Sequence, residues 1–319
     1  MSNFLDPAIL FFIFGAFAGA VKSNLEIPPA ISRFLSLYLL MALGLKGGFA
    51  LEKSGLTWEV GAGLGAAFCL AILVPVLGYS LLKRFLTGFD AVSIAATYGS
   101  VSAVTFVTAT QYLEHQNIVY GGHMSAAMAL MESPAIVMAV MLANALRSRS
   151  ASTKTSTTLR KILHESFTDG AQLLLMGSMA VGLLTGESGK TAMQPFSGDL
   201  FKGMLSFFLL DMGLMTARNL PQIRDKSPWL IAYAVIGPLV HAAIALGMSS
   251  AVELSQGDTT LLMVLAASAS YIAVPAVLRY AIPEANPSLY FGLSLGVTFP
   301  MNILFGIPIY SYFAQLLVG

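Results

Sequence analysis

The 319 residues are 56% hydrophobic and only 10% charged, with a mean hydropathy of +0.76, where a soluble domain carries roughly 25% charged residues. That deficit excludes an ordinary pair of soluble domains and points to an integral membrane protein. Seventeen basic and sixteen acidic residues leave a net charge of +1, which excludes nucleic acid as a partner, and the lone Cys69 can form neither an internal disulfide nor a thiolate metal site.

The N-terminus begins polar and carries Asp6 ahead of the first apolar stretch, without a basic region or a small-residue cleavage site. The first span is therefore expected to stay in the mature protein. In chain order, apolar runs at Pro7 to Val21, Ile31 to Leu45, Val60 to Leu82, Ala91 to Leu113 and Gly122 to Leu146 predict five spans. The fifth is interrupted by His123 and Glu132. Five more follow at Ser166 to Leu184, Phe201 to Ala217, Ser227 to Val252, Thr259 to Leu278 and Asn286 to Gly319, with Lys202 and Asp211 interrupting the second of them. An all-α fold of ten transmembrane helices is the expectation.

Between the two groups, Arg147 to Lys161 is Ser/Thr-rich, basic and free of apolar periodicity, and it reads as a flexible linker. The expected division is 1–146, a cytoplasmic linker at 147–163, and 164–319. With the linker inside, 13 basic residues fall inside and only Lys46, Lys53, Lys190 and Lys202 outside, as the positive-inside rule requires. Both termini are then expected to face outward.

The halves resemble each other at an offset near 170. Ser36 to Leu40 answers Ser206 to Leu210, Gly44-Leu45 answers Gly213-Leu214, and Trp58 and Trp229 lie 171 apart. Asp90, Ser100 and Ser102 answer Asp258, Ser268 and Ser270 at an offset of 168. Same-order matches at nearly one offset indicate duplication, and an odd number of spans per half makes the repeats inverted. Inverted repeats are typical of secondary transporters, whose sites lie where broken helices of the two halves meet.

The fourth span holds Tyr98-Gly99-Ser100-Val101-Ser102 and the ninth holds Ala267-Ser268-Ala269-Ser270-Tyr271. Serines two apart point to nearly opposite sides of a regular helix, so both can serve one ligand only if the helix unwinds there. Gly99 and Pro275 are candidate causes of such breaks. Half-helix N-termini and freed amides would suit a small anion. Serines also permit close helix packing, but their duplication in both halves favours a site.

Glu132, in Met131-Glu132-Ser133-Pro134, sits mid-span, where an unpaired carboxylate costs about 3 kcal/mol. It needs a partner or a cation, or it is a protonated acid bonded to backbone freed by Pro134. Asp211 reads as a structural pairing and His241 as a hydrogen-bonded packing residue, while His115, His123 and His164 read as interfacial. No HExxH, GxSxG, Walker A or GxGxxG motif is present, so no enzyme activity is expected and ATP-driven pumping within the chain is excluded.

At these residues the sequence resembles the SbtA-type sodium-dependent bicarbonate transporters of cyanobacteria and their bacterial relatives. The resemblance is carried by Gly99-Ser100-Val101-Ser102 with Thr105, by Met131 to Ala135, and by Pro238 to His241 with Ile244-Ala245. Its longest piece runs from Ala267-Ser268 through Pro275, Arg279, Ile282-Pro283 and Ala285 to Ser288, reaching Tyr290 and Gly292. It implies two inverted five-span repeats, a homotrimer, a bacterial cytoplasmic membrane location, sodium as the coupling ion without other cofactors, and elevator-like motion of a core domain against a gate domain. It also implies a PII-like regulatory partner, for which the linker here is short. Relatives typically carry an aspartate where this chain has Tyr271, and smaller or more polar residues at Ala103 and Val104.

The reading is a secondary transporter importing a small anion, bicarbonate in the first place, with sodium. Gly99, Ser100, Ser102, Thr105, Ser268, Ala269, Ser270 and Tyr271 would hold the substrate; Ser102, Glu132 and Ser270 are the ion-coupling candidates. Two alternatives stay open: a non-transporting membrane sensor on the same fold, and a transporter of a different small anion.

Overall fold

The computed structural model describes residues 6–55, 57–149, 170–222 and 227–318. Among them every regular element is helical. These are α1 (Pro7–Ala20), α2 (Pro29–Ser54), α3 (Trp58–Leu82), α4 (Gly88–Gly99), α5 (Ala103–His115) and α6 (His123–Arg149). The second group is α7 (Gly170–Met193), α8 (Phe201–Asn219), α9 (Pro228–Ala251), α10 (Gln256–Ala267), α11 (Ala273–Ala281) and α12 (Pro287–Val318), the last containing two π-helical turns. Many starts are written locally. Proline occupies the first helical position of α1, α2, α9 and α12, where its missing N–H has no partner to lose. Side chains of Asp6, Thr57, Thr87, Ser102, Ser255 and Asn286 cap the helices that follow them.

Among the described residues seven segments are long and apolar enough to cross a membrane. One of these, Leu173–Asn219, has 47 residues, which as one helix would be about 70 Å long against a bilayer core of about 30 Å. It is in fact α7 and α8. Gly44 and Gly48 of α2 abut Leu175 to Leu183 in the same order along both helices, so α2 and α7 run parallel. Ser32 lies by Asp211 and Tyr38 donates its hydroxyl to the Phe196 carbonyl, so α2 runs antiparallel to α8. The chain therefore reverses between them, beginning at Gly186, where non-helical backbone (φ 54°, ψ −140°) breaks α7 and Gly189 comes back beside Phe49. By the same logic Gly15 and Gly19 of α1 fit Leu210 to Ala217 of α8 in parallel, held at one end by Asp6 to Lys202 at 3.0 Å.

The remaining helices surround α4, α5 and α10, which are almost fully buried, and α11, which is buried at Val274, Leu278 and Ala281. The outer surface is apolar instead of charged: Phe11, Phe14, Phe17, Phe68, Ile236 and Phe313 are all exposed, as lipid contact requires. Most of the expected linker, with His164, lies outside the described residues. Its first residues do not behave as linker: Arg147 is still in α6, and its guanidinium grips Glu284 at 2.7 Å and the Ala281 carbonyl at 2.8 Å.

Candidate functional site

Both expected breaks are present. α4 ends at Gly99 and α5 begins at Ala103, with Ser100 and Ser102 in extended backbone (φ −99° and −103°). α10 ends at Ala267 and α11 begins at Ala273, with Ser268 again extended at φ −81°. Gly99 is not there for a left-handed turn; its φ is ordinary, and a Cβ on it would lie 2.5 to 2.7 Å from the Pro75 ring of α3. Glycine is needed because α3 presses against the helix end. Pro275 is the third residue of α11, in the first turn, so it starts a helix without removing a needed donor.

The two broken segments cross and bond directly. The Ser270 amide donates to the Thr97 carbonyl at 2.8 Å. In the reverse direction a hydroxyl intervenes: the Ser102 amide donates to Ser268 Oγ at 3.0 Å, and Ser268 Oγ donates to the Leu265 carbonyl at 2.9 Å. Ser102 caps α5, accepting from the Thr105 amide at 3.2 Å and the Thr105 hydroxyl at 2.9 Å, and Ser270 Oγ accepts from the Val274 amide at 3.2 Å. The broken strands expose carbonyls that helix would have used, and neighbours take them up. His241 from α9 lies beside the Ala266 carbonyl, and Asn302 from α12 donates to Ala267 at 2.8 Å while accepting from Tyr310 at 2.9 Å.

Beside the crossing lies a cavity of about 60 Å³, lined by Ser36, Ser102, Ala103, Glu132, Ser270, Tyr271 and Ala273 among others; a single water needs only about 10–15 Å³. Ala103 and Ala273 are the first residues of α5 and α11, so two half-helix N-termini meet the same cavity, where unsatisfied first-turn amides favour an anion. Glu132 brings the one carboxylate among the described lining residues. Among the described residues no three His, Cys, Asp or Glu side chains converge, so a cation here would rest on hydroxyls, main-chain carbonyls and Glu132.

Of the residues singled out in the sequence, Ser102, Ser270, Tyr271 and Glu132 line this cavity. Ser100, Thr105, Ser268, Ala269 and Gly99 are buried just behind it. The Tyr271 hydroxyl lies beside Ser102 without the geometry of a hydrogen bond, and its ring packs edge-on against Phe299 at 5.1 Å. Asp211 is buried in α8 with one carboxylate oxygen unpartnered among the described residues and Ser32 at its side. His123, expected at an interface, is 3% exposed and stands 3.7 Å from Asp258. Gly121 donates to that same aspartate at 2.6 Å, so the end of α6 is folded inward against α10. Asn302, Tyr310, and the relay from Tyr98 through Thr298 to the Ala234 carbonyl do not stand out in the sequence, though an amide side chain in the middle of an apolar tail was the available signal for Asn302.

Crossed, broken membrane helices with opposed N-termini define a membrane protein with a central polar site of the transporter kind. The family model for the Na+-dependent bicarbonate transporter superfamily matches residues 7–315, and the chain belongs to that family. No curated protein matches it.

Proposed function

We propose that the chain is a secondary transporter that imports a small anion, bicarbonate in the first place, with sodium as the coupling ion, by elevator-type motion. The observation that carries this reading is the meeting of the α5 and α11 N-termini at the cavity shared by Ser102, Ser270, Tyr271 and Glu132. The amides and hydroxyls would hold the anion, and Glu132 with nearby carbonyls would offer sodium its counter-charge.

A ten-span inverted repeat is supported by pairings that recur across the halves. α1 packs on α8 and α2 on α7, each joining the first helix of one half to the second of the other. Thr87 caps α4 beside Asp90, whose carboxylate accepts the Asn286 amide at 2.8 Å. Ser255 likewise caps α10 beside Asp258, which accepts the Gly121 amide at 2.6 Å. Counting α1, α7 and α8 separately, and each broken pair as one span, turns seven long segments into ten. In this reading α1, α2, α7 and α8 form the gate and the other helices the core that moves.

The test is uptake of labelled bicarbonate into proteoliposomes with and without an inward sodium gradient. Sodium-dependent accumulation is expected, lost in Ser102→Ala and Ser270→Ala, and uncoupled from sodium in Glu132→Gln. Bicarbonate binding without accumulation would identify a sensor on the same fold.

A further inference from the structure

A second polar cavity, of about 320 Å³, opens between α2, α7 and the Glu114 to Ser125 segment, and the crossing does not use it. Lys46, Lys53 and Lys190 line it against Glu114 and Glu187. These are three of the four lysines that the positive-inside reading puts on the outer side, gathered in one place. Lys46 binds Glu114 at 3.0 Å, and Tyr120 holds the same carboxylate at 3.0 Å. Lys190 lies 3.5 Å from Glu187, while Lys53 forms no ion pair among the described residues. Three cations against two carboxylates leave the cavity net positive.

Its position is informative. On α2 the inner cavity is lined by Ser36 and Leu40 and the outer one by Leu43, Lys46, Gly47 and Lys53. On α6 the inner cavity takes Met128 and Glu132, the outer one Ser125 and, just before the helix, Gly122. The two cavities thus follow one seam between α2 and α6, separated by three residues on each helix, about 5 Å of rise. The seam is closed between and above them by Leu40, Leu43 and Met128, and by Gly47 set so close to Ser125 that a Cβ would lie 2.8 Å from its hydroxyl.

We propose that this cavity is a second anion site, a vestibule that concentrates a small oxyanion by its lysines at the head of the α2–α6 seam before it reaches the crossing. A cleft of one sign of charge with low-dielectric walls focuses its field and raises the local concentration of counter-ions. The binding itself does not depend on the transport reading; the onward step to the crossing does.

The experiment puts a cysteine at Ala50, which lines the cavity one turn from both Lys46 and Lys53, in a Cys69→Ser background. The rates of reaction with an anionic sulfonatoethyl and a cationic trimethylammonioethyl methanethiosulfonate are compared. The anionic-to-cationic ratio, relative to free cysteine, is expected to rise about tenfold, the low end of electrostatic focusing. It should fall back in Lys53→Gln/Lys190→Gln and rise less steeply at high salt. A ratio equal to that of free cysteine, or one indifferent to the two lysines, would overturn the vestibule. In liposomes Lys53→Gln/Lys190→Gln should raise KM for external bicarbonate several-fold with kcat unchanged, and an unchanged KM counts against the onward step. Wild-type protein that imports nothing would defeat the transport reading alone, since the reagent ratio still decides the vestibule.

Discussion

The Ser102 amide and the Ser268 hydroxyl meet at 3.0 Å across the two broken helices, and Ser268 passes the bond on to Leu265 at 2.9 Å. Ser100, its counterpart in the other half, has a buried hydroxyl with no hydrogen-bond partner among the described residues. The duplicated serines are therefore not equivalent: Ser268 ties the halves together at the crossing, and Ser100 does not.

Ser268→Ala should leave the Ser102 amide and the Leu265 carbonyl without their shared partner, at a cost of about 1–3 kcal/mol for buried groups left unpaired. Ser100→Ala should be neutral or slightly stabilising, because the hydroxyl it removes bonds to nothing described. Thermal unfolding of the detergent-solubilised variants gives the ordering, and equal losses would deny Ser268 its bridging role.

Much of this arrangement is legible in the amino-acid sequence. The 168-residue offset of Ser100 and Ser102 to Ser268 and Ser270 locates both breaks, because serines two apart can serve one ligand only in unwound backbone and the pair recurs in both halves. The ends of the spans are less legible. His123 and Arg147 look like interfacial and linker residues in sequence, yet one turns in toward Asp258 and the other reaches Glu284. Such pairs are separated by more than 130 residues, and no local pattern encodes them. The same holds for Gly99, whose neighbour Pro75 belongs to another helix. The cavity walls from Ser36 and Glu132 likewise depend on how α2 and α6 dock, not on either helix alone.

Gly99→Ala should drive a methyl group into the Pro75 ring, at 2.5 to 2.7 Å with no flexible side chain to yield. Overpacking of this kind costs about 1–3 kcal/mol, and here it would displace the end of α4 that carries Ser100 to Ser102. Pro75→Ala in the same chain should restore much of the loss. Melting temperatures of the two single variants and the double variant test this, and additive losses would sink the packing explanation.

Glu284 sits outside the spans, and its hydrogen-bonded pairing with the Arg147 guanidinium holds its carboxyl below the ordinary glutamate value of about 4.3. A carboxylate with a depressed folded value contributes stability that is present above the unfolded value and lost as pH falls through the folded one. Arg147→Gln should therefore be less stable than wild type at neutral pH, by no more than about 1 kcal/mol for a pair this exposed, and the difference should close below pH of about 4. Unfolding midpoints across that range read it out; a constant difference would assign the effect to Arg147 and the Ala281 carbonyl instead.

The two amide atoms of Asn302 do different work. Its nitrogen satisfies the Ala267 carbonyl at the broken end of α10, and its oxygen only receives the Tyr310 hydroxyl. Asn302→Leu removes the donor and leaves a buried carbonyl and a buried phenol unpaired, so a loss of about 2–4 kcal/mol is expected, above that of a single unmade bond. Tyr310→Phe keeps the bond to Ala267 and should lose only about 1 kcal/mol. If the break is held open for substrate by that carbonyl bond, Asn302→Leu should lower bicarbonate uptake per folded molecule while Tyr310→Phe leaves it near wild type. Equal uptake in both would mean the end of α10 needs no support from α12, and that Asn302 is a packing residue like its apolar neighbours.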